Sequence, residues 1–157
     1  MKFPICLLAD DLRVLANIGS LFRLVDALGV DKIYLGGTSP IPPSTKIRRT
    51  SRSTDTLVDF EHAPDPVKVA RRLKREGFRV VSLEPTPTSV GLLDFAVQPE
   101  DKICLVLGAE RTGIRPELLE LSDATVHIPM LGENASMNVA MACAIATFHL
   151  GQLLNPR

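Results

Sequence analysis

The stretch ICLVLGAERTGI, residues 103–114, gives the strongest indication of the fold. Its first five residues form a continuous apolar run, which is typical of a strand buried on both faces of a sheet. Gly108 follows the run directly and allows backbone amides to approach a ligand, and Gly113 permits a tight return of the chain. The stretch lacks the G-x-G start of a dinucleotide site and the Gly-Lys-Ser/Thr ending of a phosphate-binding loop. Two interpretations therefore stay open, a site for a nucleotide-like ligand and an ordinary strand-to-helix turn.

Four more short apolar runs predict strands, and they alternate with predicted helices. The predicted strands cover residues 3–9, 32–35, 79–83 and 124–128, and the predicted helices cover residues 17–28, 67–76, 116–121 and 138–154. Residues 38–62 are rich in proline and show no period, so they are predicted to form a long loop. This alternation is typical of an α/β fold with a mainly parallel sheet flanked by helices. Since no linker or repeat is visible, we expect one domain over residues 1–157.

The composition is that of an ordered globular chain, with 45% hydrophobic residues and 18 basic residues against 18 acidic ones. Because the net charge is zero, any RNA contact must come from a local cluster of cations. Cys6, Cys104 and Cys143 are far apart and lie in apolar stretches, which fits neither a metal site nor a disulfide framework. The apolar run near the N-terminus is too short for a signal peptide or a membrane span. We therefore expect a cytoplasmic protein without a metal and without a membrane anchor.

The predicted closing helix, residues 138–154, is apolar almost all round. Its most apolar part, residues 139–150, is about a dozen residues long, whereas a membrane-spanning helix needs about 20. A helix without a polar face must be covered on all sides in so small a protein. We expect a second subunit to provide part of that cover.

Two further segments lie at or beyond the carboxyl ends of predicted strands, which is the edge where ligands bind in open α/β sheets. In NIGSLFR, residues 17–23, Asn17 is a candidate helix N-cap and Arg23 lies on the polar face, where a solvated cation is the simplest interpretation. The segment IPMLGENASMNVA, residues 128–140, leads from a strand into a helix that Ser136 or Asn138 could cap. Local physical chemistry alone assigns no catalytic role to these side chains.

Taken together, in this order and near these separations, the three segments resemble the motifs of the SpoU-type (SPOUT class) RNA 2′-O-ribose methyltransferases. The family patterns are N-x-G-S/A-x-F-R, then L-V-x-G-x-E-x-x-G, then I-P-M-x-G and S-L-N-V, and the resemblance spans residues 9–150. It implies transfer of a methyl group from S-adenosylmethionine to a ribose 2′-hydroxyl of RNA. It also implies a C-terminal deep trefoil knot, and a homodimer whose active site is completed across the interface. Many relatives carry an additional N-terminal RNA-binding domain, and we expect none here. We therefore expect a compact RNA substrate, a tRNA rather than an rRNA.

The resemblance assigns a role to each matching position. The implied catalytic residues are Arg23, Asn17, Glu110, Ser136 and Asn138. The implied contacts to the cofactor are Leu83, Gly108, Ile128, Met130 and Met137, where Met137 stands in place of the more usual leucine. An arginine at the position of Arg23 is the family's proposed general base, but a guanidinium is protonated at physiological pH. We therefore expect Arg23 to hold an RNA phosphate and to polarise the hydroxyl.

A local concentration of cations lies within the predicted long loop, at Lys46, Arg48, Arg49 and Arg52. Four cations within seven positions suit RNA phosphate, although a solvated loop would have the same composition. Relatives carry a Lys-Thr…Gly-Ala pattern here, and the pair Arg52-Ser53 replaces its small residues. Two rival functions remain open at this level, a non-catalytic RNA-binding protein with the same fold and a module that binds only a small nucleotide.

Overall fold

The structure is a computed structural model that describes residues 1–155. The strands are β1 (Phe3–Asp10), β2 (Val30–Gly36), β3 (Phe60–Ala63), β4 (Phe78–Leu83), β5 (Val90–Gly91), β6 (Lys102–Leu107) and β7 (Ala124–His127). The α-helices are α1 (Leu15–Leu28), α2 (Thr45–Ser51), α3 (Pro66–Arg75), α4 (Pro116–Leu121) and α5 (Val139–Leu154). Single turns of 3₁₀-helix cover Thr54–Thr56 and Leu92–Asp94.

The strands form one sheet in the order β3-β2-β1-β6-β4-β7-β5, and all neighbouring strands are parallel. Strand β6, which contains the apolar run 103–107, lies at the centre between β1 and β4. Its last residue, Leu107, pairs with Ala9 on one side and with Leu83 on the other. This register brings the turn that begins at Gly108 between the residues that follow β1 and β4.

Side chains of the central strands alternate between two cores, one on each face of the sheet. On one face, Leu7 and Leu105 belong to a core that also contains side chains of α1 and α5. On the other face, Leu8 and Val106 pack with side chains of α3 and α4. Because β1 and β6 are covered on both faces, their runs are apolar without alternation, as expected of a parallel sheet.

The α/β fold with a parallel sheet flanked by helices is confirmed, and all five predicted strands and four predicted helices are present. The prediction of a structureless loop over residues 38–62 is wrong, because this segment contains α2, a 3₁₀ turn and β3. Helix α2 has only seven residues, of which only Ile47 and Ser51 are buried, so it shows no apolar period. Strand β3 is a four-residue edge strand with one buried residue, which explains why no apolar run marks it.

Helix α1 begins two residues earlier than predicted, at Leu15, and Val14 occupies the N-cap without a side-chain hydrogen bond. The prediction that Asn17 caps this helix is therefore wrong. Asn17 instead lies inside the first turn with its side chain buried. The knot and the single domain over residues 1–157 stay predictions, and the last two residues of that range, Pro156 and Arg157, lie outside the described residues.

Within residues 1–155, no helix has the length and apolar character needed to cross a membrane. The same residues contain no cluster of three or more His, Cys, Asp or Glu side chains arranged to hold a metal ion.

Candidate active site

A cavity of about 390 Å³ opens at the carboxyl edge of the sheet, beyond the ends of β4, β6 and β7. Its lining includes all but one of the ten residues predicted for catalysis and cofactor binding. Those residues are Asn17, Leu83, Gly108, Glu110, Ile128, Met130, Ser136, Met137 and Asn138. The structure thus brings the three sequence segments together around one space, although they lie up to 121 residues apart in the chain.

A chain of hydrogen bonds links the three segments at one end of the cavity. The side-chain amide of Asn17 donates to Glu110 Oε1 at 3.1 Å, and the amide of Asn138 donates to Asn17 Oδ1 at 3.0 Å. Asn138 Oδ1 in turn accepts from the backbone N–H groups of Ala140 and Met141, so Asn138, one of the two predicted candidates, caps α5. Asn17 therefore holds the relative positions of the β6 turn and the start of α5.

The carboxylate of Glu110 is held by several donors. Burial raises its pKa, but hydrogen bonds from its own backbone, from Asn17 and from the N–H groups of Val14 and Arg13 outweigh burial and lower the pKa overall. The distances from the Val14 and Arg13 nitrogens are 3.1 and 3.3 Å. A carboxylate with a lowered pKa is a weak base, so Glu110 is suited to orienting neighbours rather than to accepting a proton.

The β6 turn, residues 108–113, closes on itself through two hydrogen bonds. Ala109 N donates to Gly113 O at 3.1 Å, and Gly113 N donates to Ala109 O at 2.9 Å. A Cβ at Gly108 would lie 2.5 Å from the carbonyl carbon of Gly113 and 2.6 Å from the nitrogen of Ile114. Position 108 thus requires glycine because the returning chain occupies the space that a side chain would need.

Apolar side chains form the cavity wall near β4 and β7. Leu83 and Ile128 are half-buried members of the α1/α5 core, and Leu107 is fully buried behind them. Met130 and Met137 are exposed on the loop between β7 and α5. This wall is suited to a flat apolar group, whereas the Asn17 end is suited to polar groups.

Two acidic residues next to the turn were not predicted from the sequence. Glu84 follows β4, lines the cavity and accepts a hydrogen bond from Ile114 N at 2.6 Å. Asp10 is buried at the end of β1 and accepts from Arg115 N at 2.9 Å and from Arg115 Nε at 2.8 Å. The position of Glu84 directly after an apolar strand was an available signal. The contact between Asp10 and Arg115 spans 105 residues, and no local pattern marks it.

A histidine–serine contact at the far side of the cavity was also missed. His127, the last residue of β7, lines the cavity, and its Nδ1 lies 2.9 Å from Ser89 Oγ. The same hydroxyl donates to Thr86 O at 2.9 Å and accepts from Thr86 N at 3.0 Å. His127 therefore holds the loop between β4 and β5 against β7.

Arg23 does not line the cavity of its own chain. It is exposed on α1, as predicted, and forms no ion pair within residues 1–155. Its catalytic role stays a prediction.

The four predicted RNA-binding cations all lie in or next to α2 and are exposed. Lys46, Arg48 and Arg49 belong to the helix, and Arg52 follows it in a left-handed conformation with φ of 52°. Arg48 is paired with the buried Asp55 at 3.4 Å. Their role in RNA binding likewise stays a prediction.

Helix α2 packs along α1, and the two helices approach most closely at Gly19. A Cβ at Gly19 would overlap the Thr50 side chain and would lie 2.9 Å from Ile47 O. Gly19 lies between Asn17 and Arg23 on α1, so the basic segment is anchored to the helix that connects the cavity with Arg23.

The sequence pattern of the SpoU rRNA Methylase family matches residues 4–148. The chain belongs to this family. The match includes all three motif segments, so the resemblance inferred from them is confirmed. An uncharacterized tRNA/rRNA methyltransferase of Mycobacterium tuberculosis is 33% identical over 133 residues, covering 84% of this chain and 46% of that protein.

Two further relatives are named for specific chemistry. The tRNA (guanosine(18)-2′-O)-methyltransferase of Thermus thermophilus is 32% identical over 133 residues, covering 84% of this chain and 66% of its own. The crystal structure of an AdoMet-bound rRNA methyltransferase from Sinorhizobium meliloti superposes with a TM-score of 0.85 at 25% identity, covering 97% of this chain and 57% of that one. This chain thus spans about half to two thirds of the length of these SpoU relatives.

Proposed function

We propose that this protein transfers a methyl group from S-adenosylmethionine (AdoMet) to a ribose 2′-hydroxyl of RNA. One observation carries the proposal: the three SpoU motif segments converge on one cavity and are joined there by the hydrogen bonds of Asn17, Glu110 and Asn138. These hydrogen bonds hold part-buried polar side chains at the carboxyl edge of the sheet, which is the edge where ligands bind in open α/β sheets.

The cavity suits AdoMet in both size and chemistry. Its volume of about 390 Å³ lies within the range of about 300–1,000 Å³ that is common for small-molecule sites. Leu83 and Ile128 offer an apolar wall for adenine, and Gly108 leaves the backbone of the turn accessible. Met130 and Met137 would cover the exposed side. These residues form the proposed cofactor site, and AdoMet bound there would supply a methyl group on a positively charged sulfur, which is a strong electrophile.

The residues at the polar end would orient the ribose hydroxyl and the loops around it. Asn17, Ser136 and Asn138 offer amide and hydroxyl groups to the sugar, while Glu110 holds Asn17 in position. Correct orientation alone can lower a barrier by about 7–11 kcal/mol in favourable cases. Arg23 would hold an RNA phosphate and polarise the hydroxyl. The hydroxyl proton would pass to water as the oxygen takes the methyl group, and S-adenosylhomocysteine would be the leaving group.

We propose that two copies of the chain form a homodimer through α5. Met141, Ile145 and Phe148 form an apolar stripe along one face of this helix, and their exposed fractions are 64%, 44% and 58%. Three large apolar side chains at helical spacing are a surface that water disfavours. Because α1 and α5 lie on the same face of the sheet, a partner docked on α5 can bring its own Arg23 to the cavity of the first subunit.

The dimer has a direct test in Ile145→Glu. Ile145 is exposed within the single chain, so the charge should leave the monomer folded and prevent association. Sedimentation should show a dimer for the unmodified protein at micromolar concentration and a monomer for the variant. A monomeric unmodified protein would overturn the shared active site.

We propose that the exposed cations of α2 contact the RNA backbone and that the substrate is a tRNA. Lys46, Arg49 and Arg52 form no ion pair within the described residues, so their charges are available to phosphate. We further propose that the protein acts in the cytoplasm, since Cys6, Cys104 and Cys143 are buried free thiols of the kind that a reducing compartment maintains.

We also propose that the chain forms the deep trefoil knot that the family resemblance implies. The path of residues 128–138 supports this. The segment leaves β7 beyond β4, crosses the carboxyl edge past the β6 turn, and starts α5 against β1 and β6.

Methylation of purified RNA with labelled AdoMet tests the activity. Incubation with total tRNA and, separately, with ribosomal RNA should label the tRNA, and nuclease digestion should identify a 2′-O-methylated nucleotide. RNA binding without labelling would favour a non-catalytic binding protein. AdoMet binding without RNA binding would favour a small-molecule module.

Arg23→Ala tests the assigned mechanism. Loss of a contact made mainly in the transition state should lower turnover roughly hundredfold or more and leave AdoMet affinity nearly unchanged. Arg23→Lys should fail as well, because lysine lacks the planar fork that grips phosphate. Arg71→Ala, at an exposed arginine of α3 on the opposite face of the sheet, is the matched control. Near-normal turnover of Arg23→Ala would make Arg23 a solvated surface residue.

A further inference from the structure

Glu84 is a half-buried carboxylate whose two oxygens have different surroundings. Oε2 accepts the hydrogen bond from Ile114 N at 2.6 Å, which ties it to the β6 turn. Oε1 accepts no hydrogen bond from the described part of the chain and lies against Gly113. Glu84 lines the cavity, and Oε1 is the oxygen of this carboxylate that has no hydrogen-bond partner within residues 1–155.

No cation balances this carboxylate within residues 1–155. Arg115, whose backbone follows Ile114, is bound to Asp10 and Asp11 instead. Burial raises the pKa of Glu84, the hydrogen bond from Ile114 lowers it, and nearby Asp10 raises it, with a net increase. A half-buried carboxylate without a counter-charge costs stability, and such groups are more common at functional sites than elsewhere.

The position of Glu84 along the sheet edge indicates which part of a ligand it faces. The polar end of the cavity, at Asn17 and Glu110, lies beyond β1 and β6, and the wall at Ile128 lies beyond β7. Glu84 follows β4, which stands between β6 and β7. In AdoMet the ribose connects the sulfur to the adenine. If the methyl group is at the polar end and adenine at the apolar wall, the ribose therefore lies over β4.

We propose that Glu84 is the residue that recognises the cofactor ribose, with Oε1 accepting hydrogen bonds from its 2′- and 3′-hydroxyls. This inference rests on the proposed AdoMet-dependent function. The chemistry is that of dinucleotide-binding folds, where an acidic residue accepts from a ribose hydroxyl beside a glycine turn. A carboxylate is suited to this task because it is an acceptor only and can accept from two donors at once.

Glu84→Gln separates ribose recognition from support of the turn. The glutamine amide oxygen can still accept from Ile114 N, whereas its NH₂ group presents a donor where Oε1 was an acceptor. Calorimetric titration of the whole protein uses S-adenosylhomocysteine and its 2′-deoxy and 3′-deoxy analogues as probes. Glu100→Gln, at an exposed acid just before β6 on the opposite edge of the sheet, is the matched control.

The unmodified protein and Glu100→Gln should bind S-adenosylhomocysteine roughly ten- to hundredfold more tightly than either deoxy analogue, as a hydrogen bond to a charged group predicts. Glu84→Gln should lose a similar factor for the parent compound and show no further loss for the analogues. If Glu84→Gln does not fold, Glu84→Asp replaces it. Its carboxylate is one methylene group shorter and cannot reach both Ile114 N and the ribose, so the same loss of discrimination is expected.

Two results would overturn the inference and leave the proposed function intact. One is equal binding of all three compounds by the unmodified protein. The other is a Glu84→Gln variant that weakens all three by one common factor, which would make Glu84 only a support of the turn. If the unmodified protein binds neither AdoMet nor S-adenosylhomocysteine, the proposed function fails and the ribose assignment fails with it.

Discussion

Replacement of Gly108 by alanine should destabilise the fold itself as well as the proposed cofactor site. The added Cβ would lie 2.5, 2.6 and 2.8 Å from three backbone atoms of Gly113 and Ile114, whereas ordinary contacts begin at 3.4 Å. The returning chain must therefore move by about 0.9 Å, the difference between 3.4 and 2.5 Å. No side-chain rotation can relieve this overlap, because all three neighbours are backbone atoms.

The loss of stability in Gly108→Ala is the sum of two effects. Overpacking of this kind typically costs about 1–3 kcal/mol. Displacement of Ile114 also weakens its 2.6 Å hydrogen bond to Glu84, and such a bond contributes about 1 kcal/mol. The sum of about 2–4 kcal/mol corresponds to a fall in melting temperature of roughly 5–15 °C for a chain of this size.

Thermal unfolding and titration with S-adenosylhomocysteine measure the two consequences separately. Gly132→Ala is the control, because a Cβ there has no neighbour within 4 Å although it lies on the loop that leads to the same cavity. Gly108→Ala should melt well below Gly132→Ala and lose measurable binding. If both variants melt together, the turn tolerates a side chain and the argument from backbone contact is wrong. Loss of binding at an unchanged melting temperature would mean that only the ligand requires glycine.

Three further predictions concern stability. Arg115→Met leaves Asp10 buried without its cation and should lower the free energy of unfolding in urea by about 3 kcal/mol, the lower end of the range for a broken buried pair, since a third of Arg115 is exposed. The added substitution Asp10→Asn should recover part of that loss, and a cost near zero would contradict the pairing. Arg52 adopts a left-handed conformation, which costs a non-glycine residue about 1 kcal/mol, so Arg52→Gly should raise the melting temperature slightly while weakening RNA binding. A lower melting temperature would show that the arginine contributes to the fold. Glu84→Gln should be more stable than the unmodified protein at neutral pH. The folded pKa of Glu84 lies above its ordinary value of 4.5, so the advantage of the variant should shrink as pH falls through the folded pKa toward 4.5; an advantage independent of pH would exclude a role for the charge.

The elements that were predicted correctly are those whose burial is visible in the local pattern of apolar residues. The run at residues 103–107 is apolar because both sheet faces are covered, and α5 is apolar because it packs on the sheet and also carries an exposed apolar stripe. Helix α2 and strand β3 were missed for the opposite reason. Each is short and has few buried residues, so neither shows a periodic apolar pattern.

The polar residues of the cavity show a different limit of prediction. Asn17 is a good helix cap by local chemistry, yet its side chain bonds to Glu110, 93 residues away, and to Asn138, 121 residues away. No local preference can anticipate these partners, because they depend on the strand order of the sheet. Motif resemblance identified the positions, whereas Glu84 and the pair of Asp10 and Arg115 belong to no motif. The place of Glu84 after an apolar strand was an available signal, but the pair emerges only from the folded chain.

The side chain of Asn138 has a consequence beyond the geometry of the cavity. Its NH₂ group bonds to Asn17 while its oxygen caps the helix that carries Met141, Ile145 and Phe148. If two copies associate through this stripe as proposed, a single amide connects two equilibria, occupancy of the cavity and association of the two chains. A ligand that stabilises the position of Asn138 orders the first turn of α5 and so favours association. By thermodynamic reciprocity, association then tightens the binding of that ligand by the same factor. The apparent affinity for the cofactor should therefore increase with protein concentration around the dissociation constant of the dimer.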